Sequence, residues 1–284
     1  MKILVTGGTG RIGSRFLPRL IERGHTLRLL IRDTSSLKKI PYTNLETVVG
    51  DVTQPETLQP AVQGMDAIVH LAARFRVRND DEGIKAVTEA GAKALADAAI
   101  KAHVPRFVFV STNLVYGKGA NRPARENDVI ENIPMAYPAS KYMTEEYLRT
   151  LTQEHKLGAR ILRLAFVYGE QDPHLSEVLP IMQQLHWSPA KRLHMVHHAD
   201  VNQALLLALQ TEGIDGQTYN VGDDAPITAE ELMQAHEKQG MLDEEDASLK
   251  EPWEGVMDTT KIRKELGFRP LYPSFYTAKD AGVL

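Results

Sequence analysis

The sequence predicts an α/β protein built on a doubly wound, mainly parallel sheet, and three observations carry that expectation. Short apolar runs alternate with amphipathic helical stretches through the first half of the chain, the pattern that right-handed crossovers between parallel strands require. The first apolar run leads directly into Thr6-Gly7-Gly8-Thr9-Gly10-Arg11-Ile12-Gly13, a glycine-rich turn that opens a helix. A chain of 284 residues with 43% hydrophobic content can also bury a core larger than one average domain, which leaves room for a small annex.

Taken in order, strands are expected at 2–5, 26–31, 46–49, 67–70, 107–110 and 160–164, with helices at 11–23, after Pro55, at 80–101 and at 136–155. The 80–101 stretch is rich in alanine and other helix formers, and Val104-Pro105 closes it. Beyond Gly169 the alternation weakens. Stretches 175–185, 200–209 and 229–238 read as helices separated by Pro, Gly and charged turns, and Glu244-Glu245-Asp246 reads as solvated surface.

Composition excludes several classes. Net charge is −4 with no long run of one sign, which argues against a nucleic-acid partner. With no cysteine there is no disulfide, thiolate ligand or cysteine nucleophile. No apolar run approaches the ~20 residues that cross a bilayer, and a strand starting at Lys2 leaves no room for a secretory leader, so no membrane association and a cytoplasmic location are expected. His194, His197 and His198 alternate too irregularly for a defined ligand set, and no metal is expected.

The glycine loop points to a dinucleotide. Close backbone approach to a pyrophosphate needs residues without a Cβ, and a helix start offers free N–H groups and a positive dipole end. Gly7, Gly10 and Gly13, with Arg11 and Ile12 between them, have the required spacing between strand and helix. The residue that ends the second strand decides between cofactors, since a carboxylate pairs with the 2′-hydroxyl of NAD and arginine accepts the 2′-phosphate of NADP. Arg32 stands first past Leu29-Leu30-Ile31, and Arg11 adds charge on the same side, which favours NADP. A shift of one residue puts Asp33 there and favours NAD. Tyr137 and Lys141, four apart on a helix, share a face. An adjacent cation lowers a phenol from about 10 by roughly 1–3 units, making Tyr137 a competent general acid/base.

Beyond these sites, the chain carries Gly50-Asp51-Val52, His70-Leu71-Ala72-Ala73, Ser111-Thr112-Asn113-Leu114-Val115-Tyr116-Gly117, Tyr137-Pro138-Ala139-Ser140-Lys141 and Arg163-Leu164-Ala165-Phe166-Val167-Tyr168-Gly169. His198-Ala199-Asp200-Val201, Tyr219-Asn220-Val221-Gly222 and Leu266-Gly267-Phe268-Arg269-Pro270 follow. In these segments and their order the chain resembles, over nearly its whole length, the extended short-chain dehydrogenase/reductases of the NAD(P)-dependent epimerase/dehydratase family. The resemblance implies a Rossmann fold with a seven-stranded sheet, an NAD(P)-binding domain at 1–169, and a mostly substrate-binding lid region at 170–284 interleaved with the last Rossmann elements. It also implies that Asp51 and Val52 hold the adenine, and that Leu71, Ala72 and Ala73 line the cofactor. Thr112 would orient the reacting oxygen toward Tyr137, Lys141 would hold the nicotinamide ribose, and Ser111 would stand behind them. His70 reads as a core histidine, and Tyr116 as either core or supporting residue. Members often dimerise through two helices, here 80–101 and 136–155, so a homodimer is expected.

Two departures stand out. Thr88 occupies a place where members often have asparagine, and Phe166 stands where sugar-nucleotide epimerases often have one; the second weakens a nucleotide-sugar reading. Asn113, Phe166, Arg192 and His197 are the candidate substrate contacts, and Lys191, Arg192, His194, His197 and His198 form either an anion grip or a solvated loop. The leading expectation is an NADP-preferring oxidoreductase acting on the carbonyl or alcohol of a small or sugar-like substrate. An NAD-dependent nucleotide-sugar epimerase is the alternative, and a non-catalytic NAD(P) sensor is a third. Dehydration is disfavoured because Asn113-Leu114, not Asp-Glu, follows Thr112.

Overall fold

The computed structural model describes residues 1–35, 45–75, 79–238, 242 and 251–284, so Glu244, Glu245 and Asp246 lie outside the described residues. The chain begins with β1 (Lys2–Thr6), α1 (Arg11–Glu22), β2 (Thr26–Ile31), β3 (Glu46–Val49), α2 (Leu58–Val62) and β4 (Ala67–His70). It continues with α3 (Asp81–Ile84), α4 (Gly91–Lys101), β5 (Arg106–Thr112), α5 (Ala136–His155) and β6 (Gly158–Leu164). Next come β7 (Phe166–Tyr168), α6 (His174–Gln184), β8 (Arg192–Leu193), β9 (Met195–His197), α7 (His198–Gln210) and β10 (Thr218–Val221). Last are β11 (Ile227–Thr228), α8 (Ala229–Ala235), α9 (Thr260–Leu266) and α10 (Phe275–Asp280).

Seven strands form one sheet in the order β10-β6-β5-β4-β1-β2-β3. The pairs β1–β2, β1–β4, β2–β3 and β4–β5 are parallel. The bonds Ile161 N to Gln217 O and Ala165 N to Val221 O advance together along β6 and β10, so these also run parallel. Ile3, Leu4 and Val5 are wholly buried, as a strand covered on both faces must be, which is why it reads as a continuous apolar run rather than an alternating one. The expected α/β sheet of seven strands is the one observed.

Two compact units partition the chain: Met1–Val115 with Ile133–Leu162 and Leu205–Thr218, and Tyr116–Asn132 with Arg163–Ala204 and Tyr219–Leu284. The first unit packs Leu4, Ile68, Leu95, Phe107, Leu148 and Ile161 into one core. The second packs Tyr168, Leu179, Met182, Met195, Leu232 and Phe275, around the short pairs β7–β9 (parallel) and β8–β11 (antiparallel). Its α8 and α10 start with reciprocal capping boxes, Thr228 with Glu231 and Ser274 with Thr277. Among the described residues no helix is long and apolar enough to cross a membrane.

One helix departs from expectation. The continuous helix read at 80–101 is interrupted by a π-helical stretch, Lys85–Ala90, between α3 and α4. The wider turn falls where Thr88 is engaged by partners outside its own helix. Its Oγ1 accepts from Arg74 N (3.0 Å) and its carbonyl accepts from Thr144 Oγ1 (3.3 Å).

In the first unit the guanidinium of Arg160 is 1% exposed and donates to Ala208 O (2.9 Å), Leu209 O (3.2 Å) and Asp215 Oδ1. It ties β6 to the last turn of α7, whose terminal carbonyls have no helical donor of their own. Arg160→Met is expected to lower the unfolding free energy by about 1.5–3 kcal/mol, the worth of hydrogen bonds from a charged donor. Urea denaturation would measure this, and an unchanged midpoint would show that the carbonyls do not depend on it.

Candidate active site

The sheet order reverses between β1 and β4, and ligand crevices in such sheets open beyond the carboxyl ends of the strands at this point. Thr6 Oγ1 meets His70 Nδ1 at 2.7 Å, Leu71 N donates to Thr6 O, and Ala72 N reaches Thr6 Oγ1 at 3.4 Å. The two strand ends are therefore stitched together. Gly7 turns the chain there with φ +70°, and a Cβ on it would lie 2.7 Å from Ala72 N. A Cβ on Gly13 would sit 2.3 Å from Gly7 O, so α1 can pack against the turn only through a glycine. Gly10 caps α1 with no side chain, and no acidic residue occupies the first turn. The start of the helix thus carries no capping side chain and no carboxylate, and its N–H groups and positive end form a cradle that fits a pyrophosphate.

The flanking residues fall as follows. β2 ends at Ile31, so Arg32 is the first residue past it, and it is exposed. Asp33 is already turned inward on its own loop, accepting from Ser35 N (2.8 Å) and Ser35 Oγ. Asp51 follows β3, with Oδ1 taking Thr53 N (2.9 Å) and Oγ1 (2.8 Å). Val52 is buried against Gly91, where a Cβ would come within 2.7 Å of its Cγ2. His70 is a core residue: it stacks on Phe109, and burial, reinforced by Lys141, pulls it down to about 3, so it stays neutral.

The residues expected to handle protons lie on β5 and α5. Lys141 Nζ, 1% exposed, donates to Val110 O at 2.6 Å and lies 4.6 Å from the centre of the Phe109 ring and 5.9 Å from that of Tyr137. A crossover helix runs antiparallel to the strands it covers. Tyr137, one turn before Lys141, and Thr112, two residues past Val110, therefore lie toward the same end. Thr112 ends β5 with its Oγ1 accepting from Leu114 N (3.2 Å) and 3.4 Å from Asn113 Oδ1. The Tyr137 ring packs on Phe75, with centroids 4.6 Å apart.

The titration of this pair differs from the sequence expectation. Burial pushes the Tyr137 phenol up rather than down, and burial draws Lys141 to about 7, with Glu145 pulling the other way. The ammonium faces a carbonyl and the aromatic rings, so desolvation outweighs its effect on the phenol.

Behind Lys141 stands Glu145, wholly buried and not singled out from the sequence. It accepts from Ser111 Oγ (2.5 Å) and from Arg149 Nη2 (3.0 Å), which also reaches Thr218 Oγ1. Tyr137, Lys141, Glu145 and Arg149 recur every four residues, and that spacing was the available signal. Phe75 gave none, as its partner lies 62 positions away in sequence (137 − 75).

The second unit holds the remaining candidates, and its histidines do not converge. His194 Nδ1 accepts from Met257 N and its Nε2 meets Asp223 O; burial pulls it down to about 4. His197 meets Val283 O and accepts from Ala199 N, and His198 bonds Asp172 Oδ2 at 2.7 Å. Lys191 pairs with Glu254, while Arg192 is exposed and rests over Trp253. Phe166 stacks on His174 at 4.0 Å. Tyr116 is part of a buried network, receiving from Arg163 Nη1 (2.8 Å) and donating to Asn220 Oδ1 (2.7 Å).

With the fold and these residues in place, the comparisons agree on a family. The model of the NAD dependent epimerase/dehydratase family matches residues 3–222. The chain belongs to that family, and it is an enzyme of the extended short-chain dehydrogenase/reductase type. It is 28% identical over 239 residues to the 4-hydroxy-2-methyl-3-oxo-4-farnesyl-3,4-dihydroquinoline-1-oxide ketoreductase of Stigmatella aurantiaca, covering 80% of this chain and 70% of that one. Among solved structures it is similar to a UDP-glucose 4-epimerase of Thermotoga maritima, with TM-score 0.82, 25% identity, and 98% and 96% of the two chains covered. It is also similar to a dTDP-glucose 4,6-dehydratase of Streptomyces venezuelae solved with NAD, with TM-score 0.81, 26% identity, and 99% and 95% covered.

The lowered Lys141 has a consequence for stability. Between about pH 7 and the unfolded value near 10.4, the unfolded chain binds one proton more than the folded one. This group's contribution therefore rises with pH in that window, and its destabilising effect is complete below about pH 7. The stability of Lys141→Met relative to wild type is expected to be most favourable at about pH 6 and to fall toward about pH 9. Urea denaturation across that range measures it; a difference independent of pH would mean Lys141 does not titrate there.

Proposed function

We propose that the chain is an NAD(P)-dependent oxidoreductase interconverting a carbonyl and an alcohol on a small substrate, with Tyr137 as the general acid/base. The observation that carries this reading is the buried Lys141, bonded to Val110 O beside the Tyr137 ring, on the side of the sheet where Thr112 ends β5. When bound, the reduced nicotinamide supplies a hydride to the carbonyl carbon. Thr112 donates to the carbonyl oxygen and orients it, and Tyr137 gives that oxygen its proton, so the product is an alcohol. A phenol held protonated by burial suits this direction. Lys141 holds the ribose hydroxyls and, when charged, eases proton loss from the phenol. Likeness to a ketoreductase supports a ketone as substrate.

Residues 1–169 hold the cofactor, and 170–284 mainly bind substrate, interleaved with the last Rossmann elements. Gly7, Gly10, Arg11, Ile12 and Gly13 take the pyrophosphate, Asp51 and Val52 the adenine, and Leu71, Ala72, Ala73 and Ser111 line the rest. Arg32 takes a 2′-phosphate, which favours NADP. Asn113, Phe166, Arg192 and His197 are the substrate-side candidates. The protein works as a homodimer paired through α4 and α5, in the cytoplasm. Similarity to epimerases along almost the whole chain favours a second reading, a nucleotide-sugar epimerase retaining NAD. Phe166, which cannot donate a hydrogen bond, weighs against it.

Calorimetric titration of nucleotide-free protein is expected to give NADP binding about tenfold or more tighter than NAD, as a charge-assisted phosphate contact would. Arg32→Ala should erase that preference; a preference for NAD in the wild type would return the deciding role to Asp33. Carbonyl-dependent loss of the reduced-nicotinamide absorbance is expected to fall about 10²–10⁴-fold in Tyr137→Phe, with cofactor affinity retained. Unimpaired turnover in that variant would remove Tyr137 from the mechanism. Conversion of a nucleotide sugar without net absorbance change would establish the epimerase instead.

A further inference from the structure

Three large apolar side chains are left exposed beside the proton-handling residues. Phe75 is 40% exposed with its ring on Tyr137, Leu114 is 36% exposed with its N–H on Thr112 Oγ1, and Met135, at the start of α5, is 54% exposed. Single exposed apolar residues are ordinary, but Phe75 lies in ring contact with Tyr137, and Leu114 and Met135 stand two residues from Thr112 and Tyr137 respectively.

Phe75 is also held in place. Its neighbour Arg74 donates its N–H to Thr88 Oγ1 (3.0 Å) and accepts from the same oxygen at its carbonyl (3.3 Å). The Arg74 guanidinium pairs with Asp80, which in turn caps α3 through Gly83 N. Thr88 is the residue standing where relatives often carry asparagine, so the departure noted in the sequence serves to clamp the segment that presents this ring. A fixed ring loses little freedom when a ligand packs on it.

We propose that Phe75 is the aromatic wall of the substrate site and selects ketones whose carbonyl carbon is joined to a flat, apolar ring, in preference to polyhydroxylated sugars. This rests on Tyr137 being the acid/base. A flat ring stacks against Phe75 while its carbonyl oxygen lies between Thr112 and Tyr137, and Leu114 and Met135 shield its edges from water. A sugar chain would leave these three apolar side chains wet and gain no stacking on Phe75.

Binding separates this from the catalytic assignment. Wild type, Phe75→Ala and Phe75→Tyr, each saturated with NADP, would be titrated with 1-tetralone, dihydroxyacetone and UDP-glucose by ligand-observed NMR. Wild type should bind 1-tetralone about tenfold tighter than either polar ligand; Phe75→Ala should lose most of that advantage and Phe75→Tyr keep it, with melting temperatures alike. Equal or weaker binding of 1-tetralone, an advantage that survives Phe75→Ala, or a Phe75→Tyr that behaves like Phe75→Ala each overturns the proposal. Carbonyl turnover that depends on Tyr137 but not on Phe75 sinks this inference alone. Ring binding without Tyr137-dependent turnover sinks the catalytic reading on which it rests.

Discussion

The close approach of β1 and β4 is the constraint around which the first unit is arranged. At Gly7 even a methyl group would collide with Ala72 N, 2.7 Å away. Three hydrogen-bond contacts, through Thr6 Oγ1, Thr6 O and His70 Nδ1, hold the two strand ends at that distance. The strand order reverses here, so the chain leaves β1 and β4 toward opposite flanks of the sheet, the position at which ligand crevices open in such sheets. The same tightness makes the residues around it small. Gly13 lets α1 close on the turn, Gly91 makes room for Val52, and Ala72 passes beside Gly7.

A second constraint is the burial of charge on α5. An ammonium at Lys141 costs much of its hydration, and its pKa falls to about 7 in consequence. The fold answers with polar partners stacked at intervals of one helical turn: the Val110 carbonyl for Lys141, then Glu145 taking Ser111 and Arg149. Breaking such a buried array is costlier than its net contribution to stability, since each removal strands the remaining partner. Perturbed, buried groups in this arrangement mark a candidate functional site. The histidines of the second unit give the contrast. His194, His197 and His198 are equally buried, yet each bonds a backbone or carboxylate partner nearby and they share no common focus.

Much of this was legible from the chain alone where a signal is local. The strand Ile3-Leu4-Val5 and the glycines after it declare themselves within a dozen residues, and 136–155 emerged as α5 with both bounds unchanged. The i, i+4 relation of Tyr137 and Lys141 needs only a helix. Less legible were features set by distant partners. The π-helical stretch at Lys85–Ala90 coincides with bonds that Thr88 makes to Arg74 and Thr144, which composition does not reveal. Strands of two or three residues, such as β8 and β9, are too short to establish a period. The phenol of Tyr137 was expected to be lowered by its neighbouring cation. Burial reverses that, because desolvation depends on everything packed around the group and not on one residue four places on.

The sequence by itself determined the fold class, the glycine turn between β1 and α1 and the placing of Tyr137 and Lys141 on one helix face, since these depend on hydrophobic period and on short spacings along one strand or helix. Tertiary structure alone decided which side chains close around them. Glu145 became the buried partner of Ser111, Phe75 came onto Tyr137, and Thr88 became the clamp on Arg74. Local spacing is carried by backbone geometry and can be counted along the chain. Contacts between residues tens of positions apart depend on how whole elements pack, and on the desolvation and hydrogen-bond satisfaction that packing imposes.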